Sequence, residues 1–142
     1  DLVPGFYKSV DTNIQQQDAT GLNFGNESFD LVIANHILEH IPADSAAMRE
    51  IYRVLKPASM AVLQVPYSET LTLTIEDPLI NDPKQQSALY GQKDHVRIYA
   101  LHDYVQRLKH TGFKVDVWGA KELEKFNQYA IQPGEKFFVI YK

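Results

Sequence analysis

The sequence predicts an α/β fold built on a doubly wound, mostly parallel sheet. Two continuous apolar runs, FDLVIA at 29–34 and MAVLQV at 60–65, have strand length and no polar face, as strands buried in a parallel sheet do. Between them lies a stretch of helical periodicity, giving the order strand, helix, strand of a crossover unit. A second helix runs into another apolar stretch, 101–110 into 113–118, so the unit repeats.

The elements follow in order. Residues 6–10 form a strand candidate that ends at Asp11, and residues 14–17 form a weaker one that ends at Asp18. Only Asp11, Thr12 and Asn13 separate them, whereas a parallel crossover needs about a dozen residues or more. The two are therefore a tight hairpin, or one of them is no strand, or a connecting segment is missing; the last is the expectation here. The turn Gly25-Asn26-Glu27-Ser28 leads into FDLVIA. A helix over 45–55 carries Met48, Ile51 and Leu55 at helical spacing, with Asp44 or Ser45 to cap it and Lys56-Pro57 to end it. The helix over 101–110 carries Tyr104 and Leu108 and stops at Thr111-Gly112. The stretch 67–89 is too long for a plain connector and reads as a lid or substrate wall. The run at 137–141 closes the sheet.

Composition narrows the class. A chain of 142 residues suits a single domain over 1–142, and 44% hydrophobic with 23% charged residues excludes a disordered chain. A net charge of −4 without long runs offers no footprint for nucleic acid or a membrane surface. The absence of Cys removes disulfides, thiolate zinc sites and a cysteine nucleophile. With no apolar stretch near the roughly 20 residues of a membrane span, and no signal peptide, a cytoplasmic protein is expected. The chain opens at Asp1 rather than Met, as a fragment would.

In open α/β sheets ligands bind beyond the carboxyl ends of the strands, so the residues at those ends carry the chemistry. Asp11 follows the first strand candidate, where a carboxylate can accept from vicinal ribose hydroxyls; equally, it can bond its own backbone in a turn. Asp18-Ala19 can hold an adenine amino group beside a small residue, or form an Asx turn. Asn35-His36 follows FDLVIA at the most ligand-exposed point, although His36 can also make only local bonds. His36 to His40 spells H-x-x-E-H, the pattern of a zinc peptidase. That reading is set aside, because the motif needs a long helix and a downstream third ligand, whereas Pro42 ends any helix within about a turn and the run sits at the end of a buried strand. In the segment Tyr90 to Tyr99, His95 can serve as a general base tuned by Asp94 or Arg97; alternatively, the segment is a salt-bridged surface loop in which Arg97 pins Asp94.

The ordered set DATGLNF, ESFD, NHILEHI and REIYRVLKP, followed by MAVLQVP, resembles a class I S-adenosylmethionine-dependent methyltransferase of the type 11 group. YGQKDHVRIY and Gly112-Phe113-Lys114-Val115 look like the same group's downstream half. The resemblance implies a Rossmann-like sheet with an antiparallel last strand and S-adenosylmethionine across its top. It places Asp11 on the ribose, Asp18 and Ala19 at the adenine, and Asn35 and His36 along the methionine-bearing side. A small-molecule methyl acceptor follows. Two departures stand out: no first strand with a Gly-x-Gly loop precedes Asp11, and Ala58-Ser59 replaces the family's Gly-Gly. The missing strand leaves open sheet edges, which predict homodimerisation, and Ala58 or Ser59 is strained if its φ is positive. A methyltransferase-like binding or scaffold module without catalysis is the alternative.

Overall fold

A computed structural model describes residues 11, 13–129, 131–132 and 134–142, so the strand expected over 6–10 lies outside the described residues. The main sheet has four strands: β1 (Phe29–Ile33), β2 (Leu55–Val62), β6 (Lys114–Trp118) and β7 (Phe137–Tyr141), in the order β1-β2-β7-β6. β1 and β2 are parallel, while β7 is antiparallel to both β2 and β6. Three strands therefore share one direction and the last is reversed, as the sequence predicts. Residues 14–17 form no strand; their neighbour Asp18 makes only an isolated bridge to Gly21. Three consecutive glutamines there offer no apolar face to bury.

Helix α1 (Asp44–Val54) connects β1 to β2, and α3 (Leu101–Thr111) leads to β6. The predicted periodicity is realised: Met48 and Ile51 of α1, and Tyr104 and Leu108 of α3, pack with Ala61, Phe138 and Ile140 of the sheet in one core. Tyr104 stacks edge-on against Phe138 and donates its hydroxyl to the Leu63 carbonyl at 2.6 Å. Gly112 ends α3 in the left-handed conformation, φ 112, as Thr111-Gly112 predicts. The expected caps of α1 differ, because the N-cap is Ala43 and makes no side-chain bond. Asp44 instead turns inward to Tyr99 and Arg107.

FDLVIA was expected to be buried on both faces, and it is not. Val32 packs on the core, while Leu31 and Ile33 on the other face are 46% and 63% exposed. Met60, the register partner of Leu31, is exposed with them. Among the described residues, α1 and α3 cover only the Val32 side at these strands.

The stretch 67–89 contains structure of its own. A small sheet joins β3 (Tyr67–Ser68), β5 (Arg97–Ala100) and β4 (Ile75–Glu76), and α2 (Pro83–Tyr90) follows. Asp82 caps α2 through the amides of Lys84 and Gln85, Pro83 fills its first turn, and Gly91 ends it at φ 84. Neither α2 nor β5 stands out in the sequence pattern. Among the described residues, no helix is long and apolar enough to cross a membrane.

Candidate functional site

The carboxyl end of β1 continues its pairing with the β2 side past the last strand residue. The Ala34 amide donates to the Val62 carbonyl at 2.9 Å and the His36 amide to the Gln64 carbonyl at 2.8 Å. His36 adopts a left-handed φ of 54, which turns the chain sharply and leaves Asn35 and His36 exposed at the sheet top. That is where the sequence places them.

Asp11 and Asp18 both sit in Asx turns. Asp11 Oδ1 accepts the Asn13 amide at 2.8 Å, and Asp18 Oδ1 accepts the Thr20 amide at 2.8 Å and hydroxyl at 2.7 Å. The Thr20 bonds hold the exposed Asp18 carboxyl below its ordinary value. Ala19 packs against the core. The segment after it is fastened to α1: Arg53 donates to the carbonyls of Leu22 and Phe24, and Glu50 accepts the Leu22 amide. Among the described residues, no hydrogen bond or ion pair joins Asp11 or Asp18 to Asn35, His36 or His95.

A tighter grouping forms just beyond His36. Leu38–His40 make one 3-10 turn, which buries the Glu39 side chain to 1% exposure. His95, 4% exposed, reaches the same place from the turn after α2, and its ring meets that of His40 edge-on at 4.7 Å. Donor atoms of Glu39, His40 and His95 lie within 4.8 Å of one another. Neither Glu39 carboxylate oxygen has a hydrogen-bond partner. The His36 Nδ1 comes within 3.3 Å of Oε1 without hydrogen-bond geometry, and His40 Nε2 stands 4.0 Å from it. His40 Nδ1 faces the Asp94 carbonyl at 3.1 Å. A carbonyl only accepts, so Nδ1 carries a hydrogen toward Asp94 while Nε2 faces Glu39. The H-x-x-E-H spacing thus matters, but not as one helical face: His36 stays outside, 65% exposed, and His95 joins from 55 residues further along the chain than His40.

Arg97 holds this turn in place and does not pin Asp94. Buried to 3%, it donates to the carbonyls of Leu38, Ile41 and Pro42 and to Glu76 at 2.8 Å. The Val96 amide donates to the Glu39 carbonyl at 2.9 Å, tying the two segments a second time. Asp94 instead faces His40, with Oδ2 at 3.7 Å. Beneath Arg97, the Tyr99 hydroxyl donates to Asp44 at 2.7 Å, and burial together with that carboxylate pushes the phenol far above its ordinary pKa. A cleft of about 600 Å³ opens beside Pro42, Glu76, Asn81 and Arg97. Most of its charged side chains are paired with one another, Arg97 with Glu76 and Arg107 with Asp44 and Glu76, while Asp77 caps the Leu79 amide.

Residues 4–63, somewhat under half of the chain, match the methyltransferase domain family. No curated protein matches the chain. Among solved structures, the [4+2]-cyclase SpnF is similar with a TM-score of 0.56 and 19% identity, over 90% of this chain and 54% of its own. An S-adenosylmethionine-dependent methyltransferase from Mesorhizobium loti gives 0.54 and 13%, over 90% and 68%. A phosphoethanolamine N-methyltransferase from Haemonchus contortus, solved with S-adenosylhomocysteine, gives 0.54 and 17%, over 88% and 36%. The chain therefore spans about half the length of the cyclase and about a third of the Haemonchus enzyme. These structures share the fold of this chain. In its α/β fold, and in the match of residues 4–63, the chain resembles a class I S-adenosylmethionine-dependent methyltransferase.

Proposed function

We propose that the protein transfers a methyl group from S-adenosylmethionine to a small-molecule acceptor across the carboxyl ends of β1 and β2. The observation that carries this reading is the exposure of Asn35 and His36 where β1 stops, with His36 held at φ 54 by its bond to Gln64. The side chains suit a nucleoside cofactor. Asp11 takes the ribose hydroxyls, Asp18 and Ala19 take the adenine, and Asn35 and His36 line the methionine-bearing side. Each aspartate bonds its own turn through Oδ1, which leaves Oδ2 to accept from a ligand. When bound, the cofactor supplies an electrophilic methyl group on its sulfonium. The protein's task is then alignment, with His95 taking the acceptor's proton where there is one. Homodimerisation through exposed sheet edges, of which β1 is one in the order β1-β2-β7-β6, and a cytoplasmic location complete the reading.

The fold does not decide the chemistry by itself, since a protein named as a cyclase shares it. Calorimetric titration of S-adenosylhomocysteine tests the reading. Binding of about micromolar affinity is expected, at least about tenfold weaker in Asp18→Ala. No heat up to about millimolar ligand would overturn it and leave a non-catalytic binding or scaffold module.

A further inference from the structure

The Glu39–His40–His95 cluster has a feature that folding alone does not explain. A buried carboxylate without hydrogen bonds costs several kcal/mol, so such groups are normally paired, protonated or bound to a metal. Here both Glu39 oxygens are buried and unbonded, and they face His40 Nε2 and the buried ring of His95. A proton shared between Glu39 and His40 would draw the two atoms to about 2.8 Å. The observed 4.0 Å is too long for that bond, whereas donors within 4.8 Å of one another need to close by only a few tenths of an ångström onto a metal with bonds of about 2.1 Å.

The surroundings are those of an oriented ligand set. The His40 ring is oriented by its Nδ1 contact with the Asp94 carbonyl, with the Asp94 carboxylate at 3.7 Å from the same nitrogen. The turn that carries Glu39 and His40 is clamped by Arg97 through three backbone carbonyls. His95 is brought in beside it by the Val96–Glu39 backbone bond. We propose that Glu39, His40 and His95 bind one divalent transition-metal ion. Two imidazoles and one carboxylate suit Mn²⁺, Fe²⁺ or Zn²⁺ better than Mg²⁺ or Ca²⁺, which prefer oxygen donors throughout. Three protein donors leave coordination positions open, and an oxygen of the methyl acceptor can take one of them. As a ligand to the ion, His95 would then orient the acceptor, in place of the role of base proposed for it above. That use of the site rests on the methyl-transfer reading; binding of the ion does not.

The test is calorimetric titration of Mn²⁺, and separately of Zn²⁺, into chelator-stripped protein, with Mg²⁺ as the comparison. One ion per chain is expected, with a Kd of about 10 µM or tighter for Mn²⁺ or Zn²⁺ and much weaker binding of Mg²⁺. Glu39→Gln and His95→Gln each weaken binding at least about tenfold while circular dichroism shows the folded protein. A thermal melt gives a second readout: the ion raises the melting temperature of the wild type but not of Glu39→Gln. No saturable binding of either ion up to about millimolar concentration would overturn the proposal, as would undiminished binding by a folded Glu39→Gln. Loss of S-adenosylhomocysteine binding in its own titration would remove the methyl-transfer reading and leave the metal site standing.

Discussion

Ala58 and Gly112 occupy similar backbone positions with opposite side-chain choices. Ala58 sits at φ 61, which an L-residue with a Cβ enters at a cost of about 1–2 kcal/mol. The resemblance to methyltransferases already marks this position as one where glycine is usual, and the positive φ supplies the physical reason. Ala58→Gly is expected to raise stability by about 0.5–1 kcal/mol, after the greater freedom of glycine in the unfolded chain is subtracted. A urea titration checks this; a fall in the midpoint would contradict it. At Gly112, φ 112 strains any side chain, and the Tyr52 ring, 3.2 Å from where a Cβ would lie, would have to give way to one. Gly112→Ala is expected to lower stability by at least about 1 kcal/mol in the same titration, and an unchanged midpoint would contradict the role given to that turn.

At the scale of elements, the 3-10 turn Leu38–His40 depends on Arg97 more than on its own sequence. Lys at this position keeps the charge but cannot spread donors over three carbonyls and Glu76. Arg97→Lys is expected to cost about 2 kcal/mol and to speed hydrogen exchange at the Ile41 and Val96 amides more than in α1. Uniform protection would mean that Arg97 does not hold the turn. The elements that the sequence revealed are those with a strong apolar period: α1 and α3 through Met48, Ile51, Tyr104 and Leu108, and β7 as a continuous apolar run. β2 begins earlier than predicted, because Leu55 pairs with Phe29 before a polar stretch that periodicity reads as a turn. α2 buries only Gln86 and Tyr90, so its apolar signal is weak; Asp82-Pro83 and Gly91 were the signs of it. The cluster around Glu39 was half visible. Glu39 and His40 stand in a noticed motif, but the partner that completes them is His95, and only tertiary packing brings it there.

The whole molecule should answer to acid through its ion-pair network. Burial of Glu76 acts to raise its carboxyl pKa, but hydrogen bonds from Arg107 and Arg97 outweigh it and leave the group below its ordinary value. A carboxyl depressed in the folded state contributes stability that is present above the unfolded pKa of 4.5 and is lost as pH falls through the folded value. The urea midpoint is therefore expected to hold near neutrality and to drop below about pH 4.5, with a smaller drop in Glu76→Gln. An equal drop in that variant would place the acid sensitivity elsewhere.

On the reading proposed above, the carboxyl ends of β1 and β2, and not the cleft near Pro42 and Glu76, form the ligand face. A crystal structure of the protein grown with saturating S-adenosylhomocysteine tests it most directly. The expected result is ligand density against Asn35 and His36, with the homocysteine end toward Glu39, His40 and His95. Density in the cleft beside Pro42, Glu76 and Arg97, or none at saturating ligand, would contradict the account.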